Sequence, residues 1–146
     1  AGPAVVQRIQ AKGGEVFLDL KFHDIPRTVA LAATEAARLG VKMLTLHASG
    51  GAEMMQQTRS AVCKVCRAEH LTQPTLLAVT VLTSLSRDDL KLTGVGATVA
   101  TQVVRLARLA QQAGISGLVA SPHDQQLKTR LDEYLNPPFL FYLKPG

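Results

Sequence analysis

The sequence predicts an α/β fold with a parallel sheet, and within that class a (β/α)8 barrel of which about five consecutive β/α units are visible. The first observation is a set of five near-continuous apolar runs, the pattern of strands that are covered on both faces. The second is that amphipathic helical patterns separate these runs, and strands joined through a helix pair in parallel. The third is that the chain has 146 residues, whereas a whole barrel has about 250.

The predicted strands have ordinary strand lengths and are rich in Leu, Val and Phe. In chain order they are VFLDL (16–20), MLTLH (43–47), TLLAVTV (75–81), GLVAS (117–121) and FLFYL (139–143). The predicted helices lie at about 4–12, 27–39, about 51–68 and 97–113. The last is the clearest, since Val99, Val103, Leu106, Ala107 and Ala110 recur on one face. Gly40 and Gly114 end two of the helices, as a glycine just past a helix does.

A parallel sheet could also belong to a doubly wound sandwich. The nearest match to a dinucleotide-binding glycine motif is GVGATV (94–99), which lacks the third glycine and does not follow a clear strand. The chain begins in a helical pattern and ends at Lys144-Pro145-Gly146, directly after a strand. We therefore expect residues 1–146 to be a single partial barrel domain that lacks the first two strands and the C-terminal unit.

Composition excludes several classes of function. The net charge is +5, but Lys and Arg are scattered and the four Phe and two Tyr do not interleave with a basic stripe, so we expect no nucleic-acid partner. No apolar run is long enough to span a bilayer and no signal peptide is recognisable, so we expect a cytoplasmic protein without a membrane partner. Cys63 and Cys66 lie in a helical pattern and are expected to pack there, since zinc would need four ligands.

The stretch VFLDLKFHDIPRT (16–28) carries the candidate site. Strand alternation places Asp19 and Lys21 on one face, with Leu18 and Leu20 turned toward the helices. Asp24 follows at the end of the strand, where parallel α/β folds build their sites. Two carboxylates would then flank one ammonium. The alternative is a structural ion-pair cluster in which Asp24 caps the next helix.

The segment LDLKFHDIP (18–26) resembles the D-x-K-x-x-D strand of the orotidine 5′-phosphate decarboxylase family. The resemblance continues through TLHASGG (45–51), AVTVLTS (78–84), GLVASPHD (117–124) and the terminal Pro-Gly. It implies a (β/α)8 barrel that acts as a homodimer without cofactor or metal. It also implies conversion of orotidine 5′-phosphate to UMP and CO₂ in pyrimidine biosynthesis.

The resemblance implies roles for the charged residues. Lys21 would be the general acid that protonates C6 of the pyrimidine as CO₂ leaves. Asp19 would lie near the carboxylate that is lost. Asp24 and Thr28 would reach into the site of the neighbouring subunit. Apart from the resemblance, His47 ends a predicted strand on the face of Met43 and Thr45, so it would be either a residue behind the site or a hydrogen-bonded histidine at the barrel mouth.

Other matching positions concern the substrate. Thr83 would contact the pyrimidine and Pro145 would line the base. Two positions depart from the family pattern: Arg27 replaces an asparagine, and Lys144 replaces the threonine before the last Pro-Gly, which puts an extra charge beside Pro145. The family's upstream lysine and its phosphate-binding arginine have no counterpart in the chain.

Two alternative functions remain open. A 3-keto-L-gulonate 6-phosphate decarboxylase-like enzyme shares the D-x-K-x-x-D pattern but requires Mg²⁺. The other alternative is an inactive barrel fragment.

Overall fold

The computed structural model of the chain describes residues 2–120, 129, 131–133, 135 and 140–143. Strands and helices alternate along these residues. The strands are β1 (Phe17–Phe22), β2 (Met43–His47), β3 (Thr75–Val79), β4 (Gly117–Ala120) and β5 (Leu140–Leu143). The helices are α1 (Pro3–Gln10), α2 (Pro26–Arg38), α3 (Ala52–Ala68), α4 (Arg87–Leu92) and α5 (Val99–Gln112), and a 3₁₀ turn (Ala48–Gly50) follows β2.

The strands form one sheet in which every pairing is parallel and the order is β1-β2-β3-β4-β5. A doubly wound sandwich reverses direction at a switch point, so that strands distant in sequence become neighbours. Strictly sequential order, with a connection between each adjacent pair, is the arrangement of a (β/α)8 barrel. The fold class predicted from the sequence is therefore confirmed, with part of the barrel present.

The core lies between the sheet and the helices α2, α3 and α5. Leu44 and Leu46 of β2 and Leu118 of β4 are fully buried against these helices. The helices contribute Val29, Ala33, Ala36, Ala37, Met54, Met55, Val62, Val103, Leu106, Ala107 and Ala110. Small alanines on α2 let that helix lie close to α3. The predicted apolar faces of the helices are confirmed.

Helix ends follow the predicted signals, with one omission. Gly40 and Gly114 adopt φ of 71° and 77°, the left-handed conformation that glycine tolerates and that ends a helix. The short helix α4 was not predicted. It begins with a capping box in which the Ser86 hydroxyl accepts from the Asp89 N–H and the Asp89 carboxylate accepts from the Ser86 N–H.

Within the described ranges, no helix is both long and apolar enough to cross a membrane.

Candidate active site

The centre of the site is an ion pair at the carboxyl end of β1. Lys21 Nζ donates to Asp19 Oδ2 at 2.5 Å, and the two side chains are 30% and 32% exposed. The predicted proximity of Asp19 and Lys21 is thus found. A carboxylate that accepts a hydrogen bond from an ammonium in a partly desolvated position fixes the orientation of that ammonium.

β1 is irregular where these residues lie. Leu18 is in register with Leu44, and Phe22 is in register with Leu46, so three residues of β1 lie opposite the single residue Thr45. Lys21, one of the three, has φ of 50°, which is rare for a residue with a side chain. The strand therefore contains a bulge at Asp19, Leu20 and Lys21.

The bulge changes which apolar side chains of β1 reach the core. Simple alternation predicted that Leu18 and Leu20 pack against the helices. Leu18 does pack there together with Phe22, which lies on the same face, whereas Leu20, between them, lies within the bulge. Leu20 is 56% exposed, so its predicted burial was wrong. Asp19 and Lys21, whose side chains meet, both lie within the bulge.

Thr45 joins both members of the ion pair from the neighbouring strand. Its hydroxyl donates to Asp19 Oδ1 at 2.9 Å and accepts the backbone N–H of Lys21, also at 2.9 Å. The residue is completely buried. Sequence reasoning assigned Thr45 no role. The available signal was a hydroxyl inside the otherwise apolar run MLTLH, since a buried hydroxyl needs a hydrogen-bond partner.

Two histidines lie beside the pair. The rings of His23 and His47 are 5.1 Å apart between centroids and are tilted by 35°. Burial lowers the pKa of His47, and the charges of His23 and Lys21 lower it further, while Asp19 opposes this shift. His47 is therefore neutral at pH 7 and adds no second cation beside Lys21.

Asp24 lies at the same end of the sheet but does not complete the predicted cluster. Its Oδ1 accepts the adjacent Ile25 N–H at 2.7 Å. Among the described residues, the ion pairs of Lys21 include Asp19 and not Asp24, so the expected second flanking carboxylate is wrong within one chain. The alternative of Asp24 as helix cap is wrong as well, because the N-cap of α2 is Ile25.

Two of the remaining predicted residues, Thr28 and Thr83, lie at the same end of the sheet. Thr28 is exposed in the first turn of α2. Thr83 is exposed in the turn that follows β3, where Leu85 N–H binds Leu82 O. Because the strands are parallel, this turn emerges at the same edge as the Asp19–Lys21 pair. Pro145 and the neighbouring Lys144 lie outside the described residues.

The arrangement can hold one positive charge and one transferable proton at a barrel mouth. Among the described residues, no three His, Cys, Asp or Glu side chains are grouped closely enough to hold one metal ion. A fixed ammonium stabilises developing negative charge and can donate a proton to it.

Comparison with known proteins agrees with this geometry. Residues 1–141 match the model of the Orotidine 5'-phosphate decarboxylase / HUMPS family. The chain belongs to this family.

Curated relatives from the family are similar along most of the chain. An orotidine 5'-phosphate decarboxylase of Geobacter sulfurreducens is 52% identical over 99% of the chain, and one of Geobacter metallireducens is 56% identical over 84%. The chain spans 58% and 51% of the lengths of these two relatives, so it corresponds to little more than half of such a protein.

Solved structures of similar fold agree. An orotidine 5'-phosphate decarboxylase from Lactobacillus acidophilus superposes with a TM-score of 0.87 at 37% identity, covering 97% of this chain and 62% of its own. An uncharacterized conserved protein from Geobacillus kaustophilus gives 0.88 at 33% identity, covering 96% and 64%. The five-stranded sheet is therefore an arc of the barrel found in the family.

Proposed function

We propose that the complete protein converts orotidine 5′-phosphate to UMP and CO₂ in pyrimidine biosynthesis. The observation that carries the proposal is the Asp19–Lys21 ion pair at the carboxyl end of β1, in a chain 52% identical to a curated decarboxylase of this substrate. The ion pair supplies the charge that this reaction needs, and the similarity supplies the substrate.

The chemistry assigns a role to each member of the pair. The bond between C6 and the substrate carboxylate breaks, CO₂ leaves, and the electron pair stays on C6. The Lys21 ammonium stabilises this carbanion and donates a proton from Nζ to C6. Lys21 then regains its proton from solvent. Asp19 accepts a hydrogen bond from Nζ and holds it in place.

Thr83 and Pro145 are proposed to contact the pyrimidine. Thr83 is available for this role because it is exposed at the mouth of the barrel. Pro145 is assigned through the family resemblance alone. We propose that the reaction uses no cofactor and no metal, since a fixed lysine ammonium can both stabilise the developing negative charge and donate the proton.

We also propose that the enzyme is a homodimer in which Asp24 and Thr28 serve the site of the partner subunit. The support is their exposure at the site edge and the lack of an Asp24–Lys21 ion pair within the described chain. Ile25 and Leu31, on either side of Thr28, are 67% and 59% exposed, an apolar surface that a second subunit would cover. Cys63 and Cys66 are free thiols, which suits the proposed cytoplasmic location.

One experiment separates this function from its main alternative. The description of the matched family also includes HUMPS proteins, so a Mg²⁺-dependent sugar-phosphate decarboxylase is the second candidate. The complete protein is assayed with orotidine 5′-phosphate and with 3-keto-L-gulonate 6-phosphate, each with and without EDTA. We expect UMP formation that EDTA does not change, and no turnover of the sugar phosphate. EDTA-sensitive turnover of the sugar phosphate without UMP formation would refute the proposal.

A further inference from the structure

We propose that Thr45 is a positioning residue that holds the Asp19–Lys21 pair in its reactive geometry. The kinetic consequence of this inference rests on the proposed decarboxylase function. The structural consequence, that Thr45 sets the arrangement of the pair, does not.

The hydroxyl of Thr45 forms a hydrogen bond with each residue of the pair. Its single proton goes to Asp19 Oδ1, and one of its lone pairs accepts the Lys21 N–H. The other oxygen of Asp19 accepts from Lys21 Nζ. The Asp19 carboxylate is thus held at both oxygens, by Thr45 on one side and by the ammonium on the other. A rotation of this carboxylate other than one that exchanges its two equivalent oxygens would lengthen or break at least one of these hydrogen bonds.

The backbone of β1 depends on the same hydroxyl. Three residues of β1 lie opposite Thr45, so the ladder of main-chain hydrogen bonds is interrupted there. The Thr45 side chain supplies an acceptor for the Lys21 N–H at this interruption. Lys21 also has a left-handed φ, a conformation that persists only where its surroundings hold it. Thr45 therefore holds the backbone from which the Lys21 side chain projects.

Positioning of this kind affects the rate more than substrate binding. Thr45 is completely buried, so it acts on substrate through Asp19 and Lys21. A shift of about 1 Å in a catalytic group can lower turnover by about 100-fold. Binding of the substrate phosphate and ring uses other groups, so KM is expected to change little.

The test compares threonine variants in the complete protein. Thr45→Val keeps the side-chain shape and removes both hydrogen bonds, and Thr45→Ser keeps the hydroxyl. Thr58→Val is the matched control, because Thr58 is also completely buried but its hydroxyl donates to Met54 O within helix α3. Thr45→Cys, with a similar size and a weak donor, replaces Thr45→Val if the valine variant does not fold.

We expect Thr45→Val to lower kcat by about 100-fold while KM stays within about threefold. Thr45→Ser should stay within about fivefold of wild-type kcat, and Thr58→Val within about twofold. A crystal structure of Thr45→Val should show the Asp19 carboxylate rotated away from Lys21 Nζ. If Thr58→Val lowered kcat as much as Thr45→Val, the loss would come from replacing any buried threonine by valine, and the inference would be overturned.

The crystal structure decides the inference independently of activity. If Thr45→Val retained the Asp19–Lys21 contact and the left-handed Lys21, Thr45 would not position the pair. If wild-type protein formed no UMP, the proposed function would fail, and the structures would still decide whether Thr45 sets the geometry of the pair.

Discussion

Replacement of Lys21 by alanine is the most direct test of the proposed chemistry. The variant removes the ammonium whose Nζ lies 2.5 Å from Asp19. Loss of a general acid costs about 10²- to 10⁴-fold in rate. Loss of one preorganised electrostatic donor costs about 10²- to 10³-fold more. Together these terms predict that turnover falls by roughly 10⁴- to 10⁷-fold, or about 5 to 10 kcal/mol in the activation free energy.

The fold should survive this change. Both side chains of the pair are about a third exposed, and an ion pair in such a position contributes roughly 0 to 1 kcal/mol to the free energy of unfolding. Asp19 keeps its hydrogen bond from Thr45, and its second oxygen can bind water. We therefore expect an unchanged circular dichroism spectrum and a melting temperature close to that of the wild type.

The assay measures initial rates of UMP formation by the complete protein at saturating orotidine 5′-phosphate. Lys42→Ala is the matched control, because Lys42 Nζ also pairs with a carboxylate, Glu15, at 2.9 Å. Lys42 precedes β2 and lies at the opposite end of the sheet, so its removal should leave turnover unchanged. Turnover of Lys21→Ala within tenfold of wild type would refute the role of Lys21 as proton donor.

Three further predictions follow from the same geometry. If Asp24 serves the partner's site, mixing Lys21→Ala subunits with Asp24→Ala subunits, each inactive alone, should recover about a quarter of wild-type turnover. About half of the dimers are then mixed, and one of the two sites in each mixed dimer is intact. No recovery after verified subunit exchange would place Asp24 in its own subunit's site. His47 should titrate below its ordinary pKa of about 6.5 in an NMR titration because burial and the charge of His23 oppose its protonation. Since the unfolded chain then binds the proton more readily, stability should fall as the pH drops below 6.5, and a His47→Asn variant should lose part of this pH dependence; a midpoint at or above 6.5 would contradict the prediction. Residues 1–146 expressed alone should associate in light scattering and form no UMP, because β1 and β5 are the outermost strands of the sheet within the described residues and outer strands recruit other chains; a monodisperse, active product would contradict the partial-barrel interpretation.

Local patterns in the sequence were enough to place most of the elements. The predicted strand at 43–47 matches β2, and the predicted helix at 27–39 differs from α2 by one residue at each end. Such patterns succeed because the burial of one face repeats every 3.6 residues in a helix, while a strand between two layers is apolar throughout. The charged pair and the family were likewise recognisable, since Asp19, Lys21 and Asp24 lie within six residues of one another in the chain.

The tertiary structure decided the features that join residues distant in sequence. The sequence favoured the barrel over the sandwich, but the sequential strand order that distinguishes the two is seen only in the pairing of the strands. The bulge could not be predicted, because it depends on a hydrogen bond between Lys21 and Thr45, 24 residues apart, that replaces part of the ladder. For the same reason alternation assigned Leu20 to the core, although Leu20 lies in the bulge and is exposed, while Phe22 on the same face packs against the core. Sequence patterns report which face a residue prefers, whereas the geometry of this site comes from one buried hydroxyl on the neighbouring strand.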